Sequence, residues 1–211
     1  MQPISRLSEL MEDWIYLIRR DGVKSALPTM GLEIARLPYR HLRFLIVACP
    51  LAAPLPELYP RIPLEIRPLG WSDLESVRHI HRPSEARACA RRLERGHTGL
   101  WALYQGQMTG YAWACTEVNP SLERVQLTLA PDDVLCVDAY TAPAFRGKGV
   151  QTALALARCR LFSGLGYQRA VAYIERRNVP SLAVWRKLGG QEIGEIEFQR
   201  IGPWRRVRCR R

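Results

Sequence analysis

The run Tyr140-Thr141-Ala142-Pro143-Ala144-Phe145-Arg146-Gly147-Lys148-Gly149-Val150-Gln151 holds the residue types and spacing that could do chemistry. Two glycines one residue apart let the main chain turn tightly and bring several amides to a ligand without Cβ obstruction. Apolar residues at helical spacing follow Gly149, so a helix N-terminus adds further unpaired amides and a positive dipole end. Together these predict a seat for a phosphate or diphosphate, with Arg146 and Lys148 raising the local potential. The run is not a Walker A loop, because the GxxxxGK[ST] order is absent. It also departs from the dinucleotide fingerprint, whose third glycine is replaced by Thr152. Just upstream, Asp138 is the nearest candidate proton acceptor, and strand alternation puts Tyr140 on its face. Asp132 and Asp133 are the other acids of that strand.

These residues need a strand before them and a helix behind. Asp132 to Thr141 reads as that strand, with Val134-Leu135-Cys136-Val137 apolar enough to be covered on both faces. Val150, Ala153, Leu154, Ala157 and Leu161 give the helix one apolar face. Upstream, Leu64–Leu69 is a short strand, Ser72 and Glu75 form a capping box, and a second helix follows Pro83-Ser84 to end near Gly96. Gly99–Tyr104 and Met108–Ala114 make a hairpin about Gln105-Gly106-Gln107. Downstream come a strand at Arg169–Glu175, a helix started by Pro180 and stopped at Gly189-Gly190, and strands at Glu192–Ile201 and Trp204–Cys209. The order is β-α-α-β-β-β-α-β-α-β-β, a mixed sheet covered by helices. Residues 1–60 precede it as a lead-in. Leu7, Leu10, Met11, Trp14, Ile15 and Ile18 recur at helical spacing opposite Glu9, Glu12 and Asp13. Leu42–Cys49 is a buried strand, and Pro50 to Pro63 is a surface crossing. Trp14 and Trp71 read as packing residues.

The run Thr141-x-Pro143-x-Phe145-Arg146-Gly147-Lys148-Gly149 resembles the cofactor loop of the GNAT superfamily of N-acetyltransferases. That loop is written R/Q-x-x-G-x-G/A and is matched by Arg146, Gly149 and, imperfectly, Gln151. Asn178-Val179-Pro180-Ser181, then Trp185-Arg186-Lys187-Leu188-Gly189-Gly190, is similar to the family's N-x-x-A/S-x-x-x-Y-x-K-x-G-F run. The resemblance spans residues 63 to 201. It implies an α/β fold, with a mixed, mostly antiparallel sheet whose central parallel strands splay and whose helices lie on both faces. The acyltransferase domain would be 61–211, after an N-terminal extension, 1–60.

The resemblance also implies acetyl-CoA or another acyl-CoA as co-substrate, with no metal. The amides of Arg146, Gly147, Lys148, Gly149, Val150 and Gln151 would take the pyrophosphate. The strand edge at Ala139, Tyr140 and Thr141 would bind the pantetheine arm and polarise the thioester carbonyl, and Asn178 would touch the cofactor. The acyl group would pass by direct attack to an amine, on a small molecule or on a protein or peptide. Backbone donors aimed at the carbonyl oxygen, and positioning of the amine, would supply most of the acceleration. The sequence departs from the pattern at Trp185, where many members carry a tyrosine general acid, because indole cannot protonate a thiolate. It departs again at Leu135, where some relatives carry a carboxylate. Asp138 and Tyr140 are then the expected catalytic residues, Asp138 as base. Three other readings stay open. One is a donor that is a long-chain acyl-CoA or an acyl carrier protein, the second is a catalytically degenerate module binding the cofactor or a polyanion, and the third is nucleic-acid binding through the arginine tail.

The whole composition is compatible with this. With 211 residues, 47% hydrophobic, 24% charged and 9% aromatic, the chain is globular, which excludes a disordered or fibrous protein. The net charge is +11, and all basic residues but Lys24, Lys148 and Lys187 are arginine. That suits polyanionic small molecules, nucleic acid or anionic lipid, though the arginine-rich tail from Trp204 reads as a solvated edge strand. Six separated cysteines and the lone pair His79 and His81 make no zinc-ligand spacing. No secretory signal or membrane-length apolar run is visible, so reduced thiols and a cytoplasmic location are expected. A homodimer is compatible with the sequence. Residues 1–60, Ser84–Arg95 and Val118–Pro131 are expected to build the acceptor pocket.

Overall fold

The apolar runs close into one eight-stranded sheet in a computed structural model that describes residues 12–19, 39–117, 129–201 and 204–210. The strands are β1 (Tyr39–Pro50), β2 (Glu65–Pro68), β3 (Thr98–Tyr104), β4 (Gln107–Cys115), β5 (Asp133–Thr141), β6 (Arg169–Glu175), β7 (Gln191–Ile201) and β8 (Trp204–Arg210). They lie in the order β2-β3-β4-β5-β6-β1-β7-β8. Every neighbouring pair is antiparallel except β5 and β6. The helices are α1 over residues 12–19, α2 (Leu74–Ile80), α3 (Pro83–Glu94), α4 (Val150–Gly164) and α5 (Val179–Lys187). From β2 onward this is the element order the sequence predicts. Gln105 and Gly106 both take positive φ, 51° and 77°, the two-residue turn that matches strand twist in a hairpin.

Each face of the sheet has its own helices. Trp101, Leu103, Tyr111 and Trp113 pack against Val77 of α2 and Ala86 and Cys89 of α3. On the other face, Leu100, Ala102 and Ala112 pack against Val150 and Leu154 of α4. Val47, Val134, Cys136, Ala170 and Ala172 join the far end of α4 and Leu182 and Trp185 of α5. β1 is internal to the sheet, pairing with β6 along Phe44–Pro50 and with β7 along Tyr39–Ala48. β8 is an edge strand. Val207 and Cys209 turn inward, while Arg206, Arg208 and Arg210 are exposed, with Arg208 opposite Glu197 and Arg210 opposite Glu195. All six cysteines are free and all but Cys209 are buried. Desolvation pushes the thiols of Cys89 and Cys115 up to about 11 and that of Cys136 to about 12, so these stay neutral.

Several local expectations are corrected. The cap of α2 is not Ser72 with Glu75. A 3-10 turn over Trp71–Asp73 precedes the helix, and the Asp73 carboxylate accepts from the Gly70 amide at 2.8 Å. Trp71 is 57% exposed and packs no core. In α1, Ile15 is exposed and Asp13 is buried, because Asp13 accepts from both the amide and hydroxyl of Ser84 in the first turn of α3. Leu7, Leu10 and Met11 lie outside the described residues. The buried face of α4 is wider than its apolar stripe, taking in Ala155, Leu156, Arg158, Cys159 and Phe162 while Leu161 is exposed. The segment 51–64 lies over this helix, with Leu55 and Leu58 against the cluster holding Leu156, Cys159 and Phe162.

Candidate active site at the split between parallel strands

β5 and β6 pair only from Asp133 to Cys136 against Arg169 to Ala172. Beyond that, β6 stays with β1 at Phe44 to Ile46, while β5 follows β4. The two strands therefore diverge, leaving Val137–Thr141 paired to β4 along one edge and with the other edge, unpaired, facing the opening. Their common root is tied by Asp133, whose carboxylate takes the Arg169 guanidinium in a fork at 2.7 and 2.7 Å and the Ala130 amide at 2.9 Å. Burial alone would raise this carboxyl, but the Arg169 fork and the Ala130 amide prevail and hold it below the ordinary carboxylate value.

At the point of divergence β5 carries a bulge. Tyr111 pairs with Tyr140 and Ala112 with Ala139, but Trp113 pairs with Val137, which leaves Asp138 as the extra residue, at φ +40°. The bulge resets the side-chain alternation. Val134 and Cys136 face α4, and strict alternation would send Tyr140 the same way, yet Tyr140 packs with Tyr111 on the α2–α3 face. The bulge is pinned from both sides of the sheet. From α3, Arg92 binds the Asp138 carboxylate at 2.6 Å. From α4, the buried Arg158 donates to the Trp113 carbonyl at 2.8 Å.

Around Asp138 the α2–α3 face is polar and aromatic. The Tyr140 hydroxyl donates to the Ile80 carbonyl at 2.7 Å, and the His81 ring lies 3.9 Å from the Tyr140 ring centroid. Tyr111, fully buried, sits 5.6 Å from Tyr140, and its hydroxyl has no hydrogen-bond partner among the described residues. Burial first, and Asp138 second, push both the Tyr111 hydroxyl and the Glu85 carboxyl of α3 up from their ordinary values. Glu85 and Arg92 fall in Ser84–Arg95, a segment the sequence assigns to the acceptor pocket, whereas His81, Tyr111 and Arg158 are not among its site residues. The one available signal was Arg158, a cation inside an otherwise apolar helical stretch.

Past Thr141 the chain makes a 3-10 turn, Pro143–Phe145, seated by Phe145 at 6.0 Å edge-on to Tyr104 of β3. The glycine loop follows. Gly147 and Gly149 take φ +75° and +86°, and Gly149 is the N-cap of α4. The first bond of α4 runs from the Ala153 amide to the Gly149 carbonyl. Among the described residues the amides of Gly147, Lys148, Gly149, Val150, Gln151 and Thr152 find no acceptor. Six consecutive donors at the positive end of a helix could seat an anion. Two side-chain atoms beside it, Thr141 Oγ1 and Gln151 Nε2, are buried and also without partner among the described residues. Arg146 is exposed, and the Lys148 ammonium lies 5.0 Å over the Phe145 ring.

The structure thus brings Asp138, Ala139, Tyr140, Thr141 and the loop residues Arg146 to Gln151 together along one strand and turn. The amides of Arg146 and Gln151 differ, since that of Arg146 is already taken by the Pro143 carbonyl. Asn178 stands apart in its bonding. It is exposed and caps α5, with its side-chain oxygen accepting from the Ser181 amide at 3.2 Å. Trp185 is buried in the α5 core and Leu135 is fully buried in the sheet. Of the segments expected to build the acceptor pocket, Ser84–Arg95 forms α3 and its C-cap, and 118–128 lies outside the described residues. Among those, no helix is long and apolar enough to cross a membrane, and no group of three His, Cys, Asp or Glu could hold a metal.

A search of curated proteins finds no match. Solved structures do match. A Drosophila protein is 18% identical with a TM-score of 0.55, covering 86% of this chain and 58% of its own. A GCN5-related N-acetyltransferase from Sphaerobacter thermophilus is 16% identical with a TM-score of 0.55, covering 88% and 57%. A GNAT-family protein from Novosphingobium aromaticivorans is 15% identical with a TM-score of 0.52, covering 76% and 65%. This chain therefore spans less than two thirds of the length of each, and what they share with it is the fold. The family model described as "Acetyltransferase (GNAT) domain" matches residues 63–191, which include the split strands, the bulge, the glycine loop and α5. The chain belongs to the GNAT acetyltransferase family.

Proposed function

We propose that this protein moves an acyl group, acetyl in the simplest case, from coenzyme A to an amine. The observation that carries the reading is the row of six acceptorless amides from Gly147 to Thr152, beside the half of β5 whose edge away from β4 pairs with no strand. A diphosphate fits those amides. An extended pantetheine arm fits the free edge at Ala139–Thr141 as an added strand would, and Thr141 Oγ1 and Gln151 Nε2 gain the partners they lack. When bound, the co-substrate supplies an acyl carbon already activated as a thioester.

The chain's own residues then act on the amine. The Tyr140 hydroxyl donates to the Ile80 carbonyl, which fixes its ring beside the bulge, where it lines the approach to Asp138. Asp138 has one oxygen on Arg92, and we assign the other to hold the amine and receive its proton. Trp185 and Asn178 do no proton chemistry in this scheme. Trp185 packs the core, and Asn178 sets the start of α5, at the end of the crevice.

Calorimetric titration of coenzyme A into the wild type and Gly149→Ala tests the seat. A methyl group at residue 149 would meet the Pro60 Cα at 3.0 Å in a left-handed conformation, so the variant should bind at least about tenfold more weakly. Equal affinity would remove the loop from the site. Thioester cleavage across an amine library tests the transfer.

The engagement of Asp138 by Arg92 favours a second reading, a module that binds coenzyme A without transfer. Thermal stabilisation by coenzyme A with no cleavage for any amine would select it.

A further inference from the structure

The glycine loop does not hold its shape alone. After β1 the chain must return from the sixth position of the sheet to the first, and residues 51–64 do so along the outside of α4. The strap is tied at the helix C-terminal end by Leu51, whose amide donates to the Gln168 carbonyl and whose carbonyl accepts from the Ser163 hydroxyl. Leu55 and Leu58 pack along the way, and Ile62 and Leu64 pack at the other end beside Val150 and Leu154. Pro54, Pro56, Pro60 and Pro63 restrict its backbone, so little entropy is lost on fixing it. Between those two ends it meets the loop. The Arg61 amide donates to the Lys148 carbonyl at 2.9 Å, and Pro60 occupies the side of Gly149 where a Cβ would stand.

The consequence lies in one peptide unit. Among the described residues no peptide bond is cis, so the Lys148 carbonyl and the Gly149 N–H, which belong to the same planar trans unit, point in opposite directions. With the carbonyl held toward the strap, the Gly149 amide must face away from it, among the acceptorless donors. We propose that Pro60 and Arg61 are positioning residues of the anion seat. The strap clamps the Lys148–Gly149 peptide and so presents the Gly149 amide to a diphosphate. This rests on the reading of the loop given above. Its energetic basis is preorganisation. Without the clamp, a bound anion must first select one peptide orientation from several that two glycines permit.

The test is calorimetric titration of coenzyme A into wild type, Arg61→Ala, Arg61→Pro and Pro60→Gly, with apo melting curves recorded for each. Absence of binding by the wild type would remove the diphosphate reading itself, not the clamp alone. Given wild-type binding, Arg61→Ala keeps the amide and should bind within about threefold. Arg61→Pro deletes the donor and should bind about tenfold more weakly, the size expected for one hydrogen bond. Its apo melting temperature should stay near that of the wild type. Pro60→Gly, which keeps every donor and loosens the strap, should lose about threefold, and it carries the test if Arg61→Pro does not fold. Wild-type affinity in the proline variant, or in Pro60→Gly where the former is unfolded, overturns the clamp. Equal losses in Arg61→Ala and Arg61→Pro do so too, since they would assign the effect to the side-chain charge.

Discussion

Asp138 carries two features that strands rarely combine, a positive φ in a non-glycine residue and an ion pair. The strain places its carboxylate between the α3 arginine and the mouth of the split strands. If it receives the amine's proton, Asp138→Asn lowers kcat by about a hundredfold and leaves coenzyme A affinity within about twofold. A kcat at the wild-type level would return Asp138 to a purely structural part. Tyr140→Phe deletes the bond that holds this ring to Ile80 beside Asp138, so KM for the amine should rise by about tenfold with little change in kcat. At this scale the loop was readable, because glycine and cation types follow from what a main-chain anion seat requires. The partners of Asp138 were not, since Arg92 and Arg158 reach it, or its opposite strand, from helices far away in sequence.

Among elements, the root of the crevice and the bulge are separable. The Asp133–Arg169 fork closes the parallel pair where β5 and β6 are still joined. The Asp133 carboxyl is held below its ordinary 3.8, so its contribution is present above that value and is lost as pH falls through the folded-state value. Asp133→Asn should therefore cost about 2–4 kcal/mol near neutral pH. It should also flatten the acid limb of a stability-against-pH curve, and an unaltered limb would assign the acid sensitivity elsewhere. Arg158→Ala leaves the Trp113 carbonyl without its donor and opens a cavity in α4, at a cost of about 2–3 kcal/mol in urea unfolding. The helices and strands were legible here because periodicity survives in each. Asp138 and Tyr140 do share a face, but the bulge that sets it was not legible: one inserted residue puts Tyr140 on the face opposite Val134 and Cys136, and alternation read from sequence has no means of registering it.

For the molecule as a whole, the charge of +11 would attract a polyanion such as the proposed co-substrate through long-range fields. The affinity for coenzyme A should fall as salt rises from about 50 to 500 mM, because salt screens interactions between exposed charges. A salt-independent constant in calorimetry would confine recognition to the amides alone. The edge itself is a ladder of opposed charges, Arg208 on Glu197 and Arg210 on Glu195, with His41 and Arg43 of β1 bonded to the same two acids.

The element order, the hairpin turn and the anion loop were determined by local chemistry: apolar period, glycine at positive φ, and unpaired amides at a helix start act within a few residues of each other. Tertiary structure alone decided the rest. It set β1 inside the sheet, sent the proline-rich segment along α4 to the Lys148 carbonyl, and brought Arg92 and Arg158 to opposite sides of one bulge. Those are pairings between distant segments, selected by how much surface and how many polar groups each packing satisfies together, and no local period encodes that choice.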